Sequence, residues 1–182
     1  MVFRKGVLIG VAVLAVLAVA ALFAAGMVLS AQSGKRPTVG SPAPDFVMPL
    51  YEGYRAGFPE TIRLADLRGK VVVLNFWASW CVECVKETDA LEAVWREYKD
   101  RGLIVLGVDH LDTEAAARKY LADFGVTFPN GIDLQQQVSR AYRITGVPET
   151  FFIDKQGVVR KVVIQALSRA ELIAEIEPLL AE

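Results

Sequence analysis

Hydrophobic and polar positions divide this chain into two unlike parts. From Gly6 to Leu29, 24 consecutive residues carry no charged or strongly polar side chain. As a helix rising 1.5 Å per residue, such a run reaches about 36 Å, enough to cross a hydrocarbon core of roughly 30 Å. Residues 1–30 are therefore expected to be a short cytoplasmic tip and an amino-terminal transmembrane helix over 6–29. A cleaved signal peptide is the competing reading, but its apolar stretch usually runs about 7 to 15 residues. Leu29-Ser30-Ala31 and Val28-Leu29-Ser30 are also poor cleavage triplets. Arg4 and Lys5 before the run are balanced by Lys35 and Arg36 after it, so charge alone sets no firm orientation. Residues 31–40 are small, polar and proline-containing, as suits a linker. A folded domain is expected over 41–182.

Within that domain the pattern changes period repeatedly. Ser41-Pro-Ala-Pro-Asp45 excludes a regular helix, and Phe46–Leu50 with Thr61–Leu64 reads as a short hairpin. Lys70–Trp77, KVVVLNFW, lacks the alternation of a half-exposed strand, so it predicts a central strand covered on both faces. Leu91, Val94, Trp95 and Tyr98 form one stripe of a helix expected over Glu87–Arg101, which Gly102 stops. Leu103–Val108 predicts a strand, and Thr113–Phe124 a helix that ends at Gly125. Leu134–Tyr142 suits a shorter helix, and Thr150–Asp154 pairs with Val158–Ile164 around the turn Lys155-Gln-Gly157. Ser168–Leu179 closes the chain as a helix with Ser168 as N-cap and Glu171 completing a capping box. This order predicts one α/β domain, a central sheet flanked by helices.

The whole chain has 182 residues, is 53% hydrophobic and carries a net charge of -1. Met1–Arg36 takes 4 of its 20 basic residues and none of its 21 acidic ones, so the remaining 146 residues carry 16 against 21, or -5. That length permits one sizeable domain, and no basic tract remains to bind nucleic acid. Only two cysteines occur, Cys81 and Cys84, which excludes a disulfide-rich scaffold and a four-cysteine metal site. A peroxidase of similar design would need a further cysteine in a threonine-containing loop.

Trp77-Ala-Ser-Trp-Cys81-Val-Glu-Cys84 follows the central strand and precedes a helix. At such a junction the first sulfur lies beside free backbone N–H groups and the positive helix end, which favours its thiolate. Cys81 is then the attacking thiol, and Cys84 resolves the mixed disulfide that Cys81 forms with a substrate. No cofactor or metal is needed. The alternatives are an inert disulfide, whose tiny loop would add little stability, and half of a metal site, for which His110 is the sole histidine.

At this junction the chain resembles the thioredoxin superfamily, and within it the membrane-tethered TlpA/ResA/CcmG (DsbE) group of thiol-disulfide oxidoreductases. The likeness covers about residues 39–180 and rests on Ala43-Pro-Asp-Phe46, the block Asn75–Cys84, and Gly146-Val-Pro-Glu-Thr-Phe151 with Phe152-Ile-Asp154. The resemblance implies a thioredoxin-like fold with a mixed central sheet. It implies that Pro148 is the cis-proline whose Val147-Pro148 edge receives a peptide substrate. It also implies an anchored, single-pass protein with its redox domain on the extracytoplasmic side. There it would reduce disulfides in apocytochrome c or related proteins, drawing electrons from a membrane donor.

Two departures stand out. Glu83 replaces the proline many relatives carry before the second cysteine, which places a negative charge near Cys81 and should raise its pKa. Asn75 stands where cytoplasmic thioredoxins carry a buried aspartate, so Glu87, one turn past Cys84, is the candidate to tune both thiols. Its bland alternative is a solvated first-turn glutamate. Trp80 is expected to form an apolar platform near the sulfur and Trp77 to pack in the core. Glu149 is expected either to face substrate or Glu83, or to be an exposed strand residue. His110 is read as a surface hydrogen-bonding residue. A disulfide oxidant or isomerase of the same fold, and a non-catalytic metal-delivery or binding module, remain the alternative functions. The redox domain is expected to be monomeric.

Overall fold

A computed structural model of the chain describes residues 35–182. The apolar run 6–29, and with it the expected transmembrane helix, lies outside the described residues. Among the described residues no helix is long and apolar enough to cross a membrane.

The prolines of Ser41-Pro-Ala-Pro hold the backbone extended, and it runs along another strand edge, with Gly40 N–H donating to Val159 O at 2.8 Å and Val159 N–H to Ser41 O at 2.9 Å. Strands β1 (Val47–Pro49) and β2 (Thr61–Arg63) then form the expected antiparallel hairpin. The main sheet comprises β3 (Val71–Trp77), β4 (Leu103–Asp109), β5 (Asn130–Ile132), β6 (Glu149–Ile153) and β7 (Val159–Val163). Their spatial order is β5-β4-β3-β6-β7. β4 runs parallel to β3 and β5, whereas β6 is antiparallel to β3 and β7, so the sheet is mixed.

Every residue of β3 is buried, as its unbroken apolar run requires. Its alternate side chains enter two different cores. Val71, Val73 and Trp77 pack with helix α1 (Val82–Tyr98), helix α2 (Glu114–Asp123) and helix α4 (Arg169–Ala181). Val72, Leu74 and Phe76 pack with β1, β2 and helix α3 (Gln137–Tyr142). The sheet is thus the middle of three layers, and the C-terminal end of β3 opens directly onto α1.

Three features depart most from the sequence expectation. Helix α1 begins at Val82, not Glu87, with Cys81 as its N-cap, so both cysteines belong to the helix start. The reason is the cap itself: the Cys81 sulfur accepts the Cys84 N–H at 3.0 Å. β5 is a strand that the pattern did not reveal. It is three residues long, and its central Gly131 passes so close to the Pro49 carbonyl that a Cβ there would lie 2.3 Å from it. The expected helix over Leu134–Tyr142 is broken into a 3₁₀ turn and α3, because Gln135 and Gln136 take left-handed backbone angles of 56° and 58° in φ.

Candidate active site

The strand-to-helix junction brings the two sulfurs to one surface. Cys81 and Cys84 form a disulfide with Cα atoms 5.3 Å apart. Both are largely buried, but Cys81 retains 6% exposure against 1% for Cys84, so the first cysteine is the more accessible of the two. Glu83, the charged residue between them, is exposed and paired with Lys86 at 2.6 Å. Its expected penalty on a Cys81 thiolate is therefore offset by a neighbouring cation and by solvent.

Glu87 lies one helical turn past Cys84, on the same buried face of α1. It is not the solvated first-turn residue of the bland alternative, being only 1% exposed. Asn75 of β3 donates its amide N–H to Glu87 Oε1 at 2.7 Å and to Thr150 Oγ1 at 2.9 Å. The Leu167 backbone N–H donates to Glu87 Oε2 at 3.0 Å. Burial pushes the Glu87 carboxyl up to about 7, and the bonds from Asn75 and Leu167 pull in the other direction without cancelling it. The asparagine thus supports a carboxyl that reaches the site from the helix.

Exposed apolar side chains accompany the Glu83–Lys86 pair on the segments near the disulfide. Trp80 is 59% exposed, and its indole Nε1 donates to Leu111 O at 3.1 Å. Val82, Leu111 and Ile164 are also exposed. Trp77 is buried as expected and stacks on Tyr120 at 4.8 Å between centroids. The Val147-Pro148 peptide is cis. A groove of about 270 Å³ joins Glu83, in the first turn of α1, to Thr145, Gly146, Val147, Pro148 and Ile164.

Glu149 corrects the sequence expectation. It follows Pro148 but neither faces the groove nor stands exposed: its side chain has 0% exposure. Arg36 reaches its Oε1 at 2.5 Å, while the Thr145 N–H and Oγ1 donate to Oε2 at 3.0 and 3.3 Å. A buried carboxylate needs such a cation and donors, and Arg36 arrives from more than a hundred residues away, which no local pattern signals. His110 is half-buried and shares a 2.8 Å hydrogen bond with Ser139 Oγ, as a hydrogen-bonding residue would. Burial lowers its pKa, against the pull of Asp133.

A second buried carboxyl escaped the sequence reading. Asp109 ends β4 opposite Trp77, accepts the Tyr51 hydroxyl at 2.6 Å, and is raised to about 7 chiefly by burial. Among the described residues no group of three or more histidines, cysteines and carboxylates is placed to hold a metal ion.

The chain matches the AhpC/TSA family over residues 39–162. It belongs to that family. It is 37% identical over 139 residues, 76% of each chain, to the thiol-disulfide oxidoreductase ResA of Geobacillus kaustophilus. It is likewise 37% identical over 124 residues to ResA of Bacillus subtilis, covering 68% of this chain and 66% of that one. A proposed DsbE thiol:disulfide interchange protein of Chlorobium tepidum superposes with a TM-score of 0.70 at 30% identity, covering 79% of this chain and 99% of the other. A secreted thiol-disulfide isomerase of Corynebacterium glutamicum gives 0.68 at 25% identity, covering 82% and 94%. With the disulfide at the helix start, these likenesses make the chain a thiol-disulfide oxidoreductase of the ResA/DsbE type with a thioredoxin-like fold.

Proposed function

We propose that this oxidoreductase is a protein-disulfide reductase in which Cys81 attacks and Cys84 resolves. The observation that carries this reading is the Cys81–Cys84 disulfide at the start of α1, with Cys81 the more exposed of the pair. The buried Glu87 carboxyl one turn past Cys84, pushed up to about 7 by burial, supports it as a group that can accept a thiol proton near neutral pH. In the dithiol form, the Cys81 thiolate attacks one sulfur of a client disulfide. A Cys81–client bond forms and the other client sulfur leaves as thiolate. Glu87 takes the Cys84 proton, and the Cys84 thiolate attacks the Cys81 sulfur. The Cys81–Cys84 bond forms, and the client departs with two electrons gained. A donor dithiol then restores the reduced pair.

The exposed Trp80, Val82, Leu111 and Ile164 favour a protein client, because apolar surface beside a redox pair suits a peptide chain. The apolar run 6–29 supports an anchored protein, and persistent disulfides favour an extracytoplasmic domain. Oxidised haem-attachment motifs of apocytochrome c are the proposed clients, with a membrane dithiol protein as donor. The test is trapping in the native membrane. Cys84→Ser is expected to accumulate mixed disulfides with clients and Cys81→Ser to accumulate none, whereas equal trapping by both would overturn the assignment of roles.

Likeness to a secreted isomerase favours, as a second reading, an oxidant or isomerase. Equilibration with glutathione separates the two. A reduction potential above roughly -200 mV would reject the reductant.

A further inference from the structure

The Val147-Pro148 edge is flanked by a contact that the redox chemistry does not require. Glu149 follows Pro148 and begins β6, and its carboxylate folds back on Thr145, closing residues 145–149 upon themselves. Arg36 secures that closure from outside. One end of its guanidinium meets Glu149 Oε1 at 2.5 Å, and the other reaches the Arg143 carbonyl at 3.4 Å. The Arg36 side chain is 28% exposed and Glu149 has no exposure at all. The backbone that follows Arg36 is itself anchored, since Gly40 and Ala43 donate to Val159 O and Gly157 O at 2.8 and 2.9 Å. Arg36 is thus held on a fixed segment, not on a free arm.

From this geometry we infer that Arg36 is a positioning residue for client recognition. By neutralising Glu149 and bracing Arg143, it holds the Val147-Pro148 edge in the shape that receives a client peptide. The groove that reaches Glu83 in the first turn of α1 is lined by Thr145, Gly146, Val147 and Pro148, the residues enclosed between the two points Arg36 grips. Without the guanidinium, a buried carboxylate is left with neutral donors only, and it must draw water or turn outward. Either response moves Thr145 and the adjoining peptide units. A planar fork is needed to serve a carboxylate and a carbonyl together, so lysine is a partial substitute. Arg36 follows closely on the apolar run that ends at Leu29, so the sequence next to the expected anchor also shapes the client edge.

This inference rests on the reading that the Val147-Pro148 edge receives the client. The test uses the full chain in detergent or lipid, with a disulfide-bonded peptide and a small aromatic disulfide as parallel substrates. Arg36→Gln is expected to lower the ratio of peptide to small-disulfide kcat/KM about tenfold, the loss appearing in the peptide KM. Arg36→Lys is expected to fall between. Adding Glu149→Gln to Arg36→Gln is expected to recover most of the ratio, because a neutral amide still accepts from Thr145 without needing a cation. An unchanged ratio in Arg36→Gln, an equal loss on both substrates, or no recovery in the double variant would each overturn the inference. Should the parent protein itself fail to reduce the peptide, the proposed function falls first. A normal parent with an unaltered Arg36→Gln ratio removes only the positioning role.

Discussion

A single carboxyl shows how residue identity becomes chemistry here. Glu87 is ordinary in composition, yet closure of α1 onto β3 strips it of water and leaves it with two hydrogen bonds, from Asn75 and Leu167. Burial destabilises the charged form more than these bonds stabilise it, so its proton is held to about pH 7. As a base for Cys84 it works only when ionised. Client reduction by the parent protein is therefore expected to rise with pH through about 7. Glu87→Gln, which keeps the shape and accepts no proton, is expected to flatten that rise and slow resolution by about 100-fold, the lower end of general-base catalysis. Stopped-flow measurement from pH 6 to 8 checks both, and a glutamine variant with the parent's profile would remove Glu87 from the proton path. Asn75 is singled out by the resemblance, but its bond to Glu87 and its second bond, to Thr150, exist only once α1 and β6 are laid beside β3.

At the scale of elements, the helices are defined by their ends. Cys81 caps α1 through its sulfur and Thr113 caps α2, accepting the Ala116 N–H at 3.3 Å. α4 has the full reciprocal box: Ser168 Oγ accepts the Glu171 N–H at 3.3 Å, and Glu171 Oε2 accepts the Ser168 N–H at 2.8 Å. Ser168→Ala is expected to cost about 1 kcal/mol, read as a lower urea midpoint at unchanged m-value. A midpoint unmoved by the substitution would show that α4 is held by packing of Leu172, Ile176 and Leu179 alone. The box was legible because its two residues are three apart in sequence. The start of α1 is hidden in the sequence because cysteine is not a usual cap, and the break before α3 is hidden because Gln135 and Gln136 give no warning of left-handed backbone. β5 was missed for a different reason: it is held by β4 and by the approach of Pro49, not by its own three residues.

For the whole molecule, the buried carboxyls link stability to pH. Glu87 and Asp109 are both raised to about 7, from ordinary values of 4.5 and 3.8. Between those limits the folded protein holds more protons than the unfolded chain, so stability falls as pH rises. The contribution is complete below about pH 4 and lost by the time pH has passed through about 7, amounting to a few kcal/mol for each group at most. Urea unfolding of the oxidised protein from pH 5 to 8 is expected to show this decline, and Glu87→Gln to make it shallower. A rise in stability over that range would contradict the burial of these carboxyls. Packing creates both effects: α1 lays Glu87 against β3, and Tyr51 covers Asp109 at the end of β4.

The sequence by itself determined the α/β class, the central strand, the last helix with its box and the redox pair, while the candidacy of Glu87 came from the resemblance to the anchored group. Each depends on residues within a few positions of one another, where periodicity, caps and spacing act directly. Tertiary structure decided which carboxyls lose their water and what they bind. Glu149, expected to face substrate or Glu83 or to stand exposed on a strand, is a buried ion-pair partner of Arg36, and Asp109, which carries no signal in the sequence, is a buried acceptor for Tyr51. Desolvation and long-range pairing are properties of the surroundings that the folded chain builds around a side chain, so the side chain's own neighbours in sequence do not announce them.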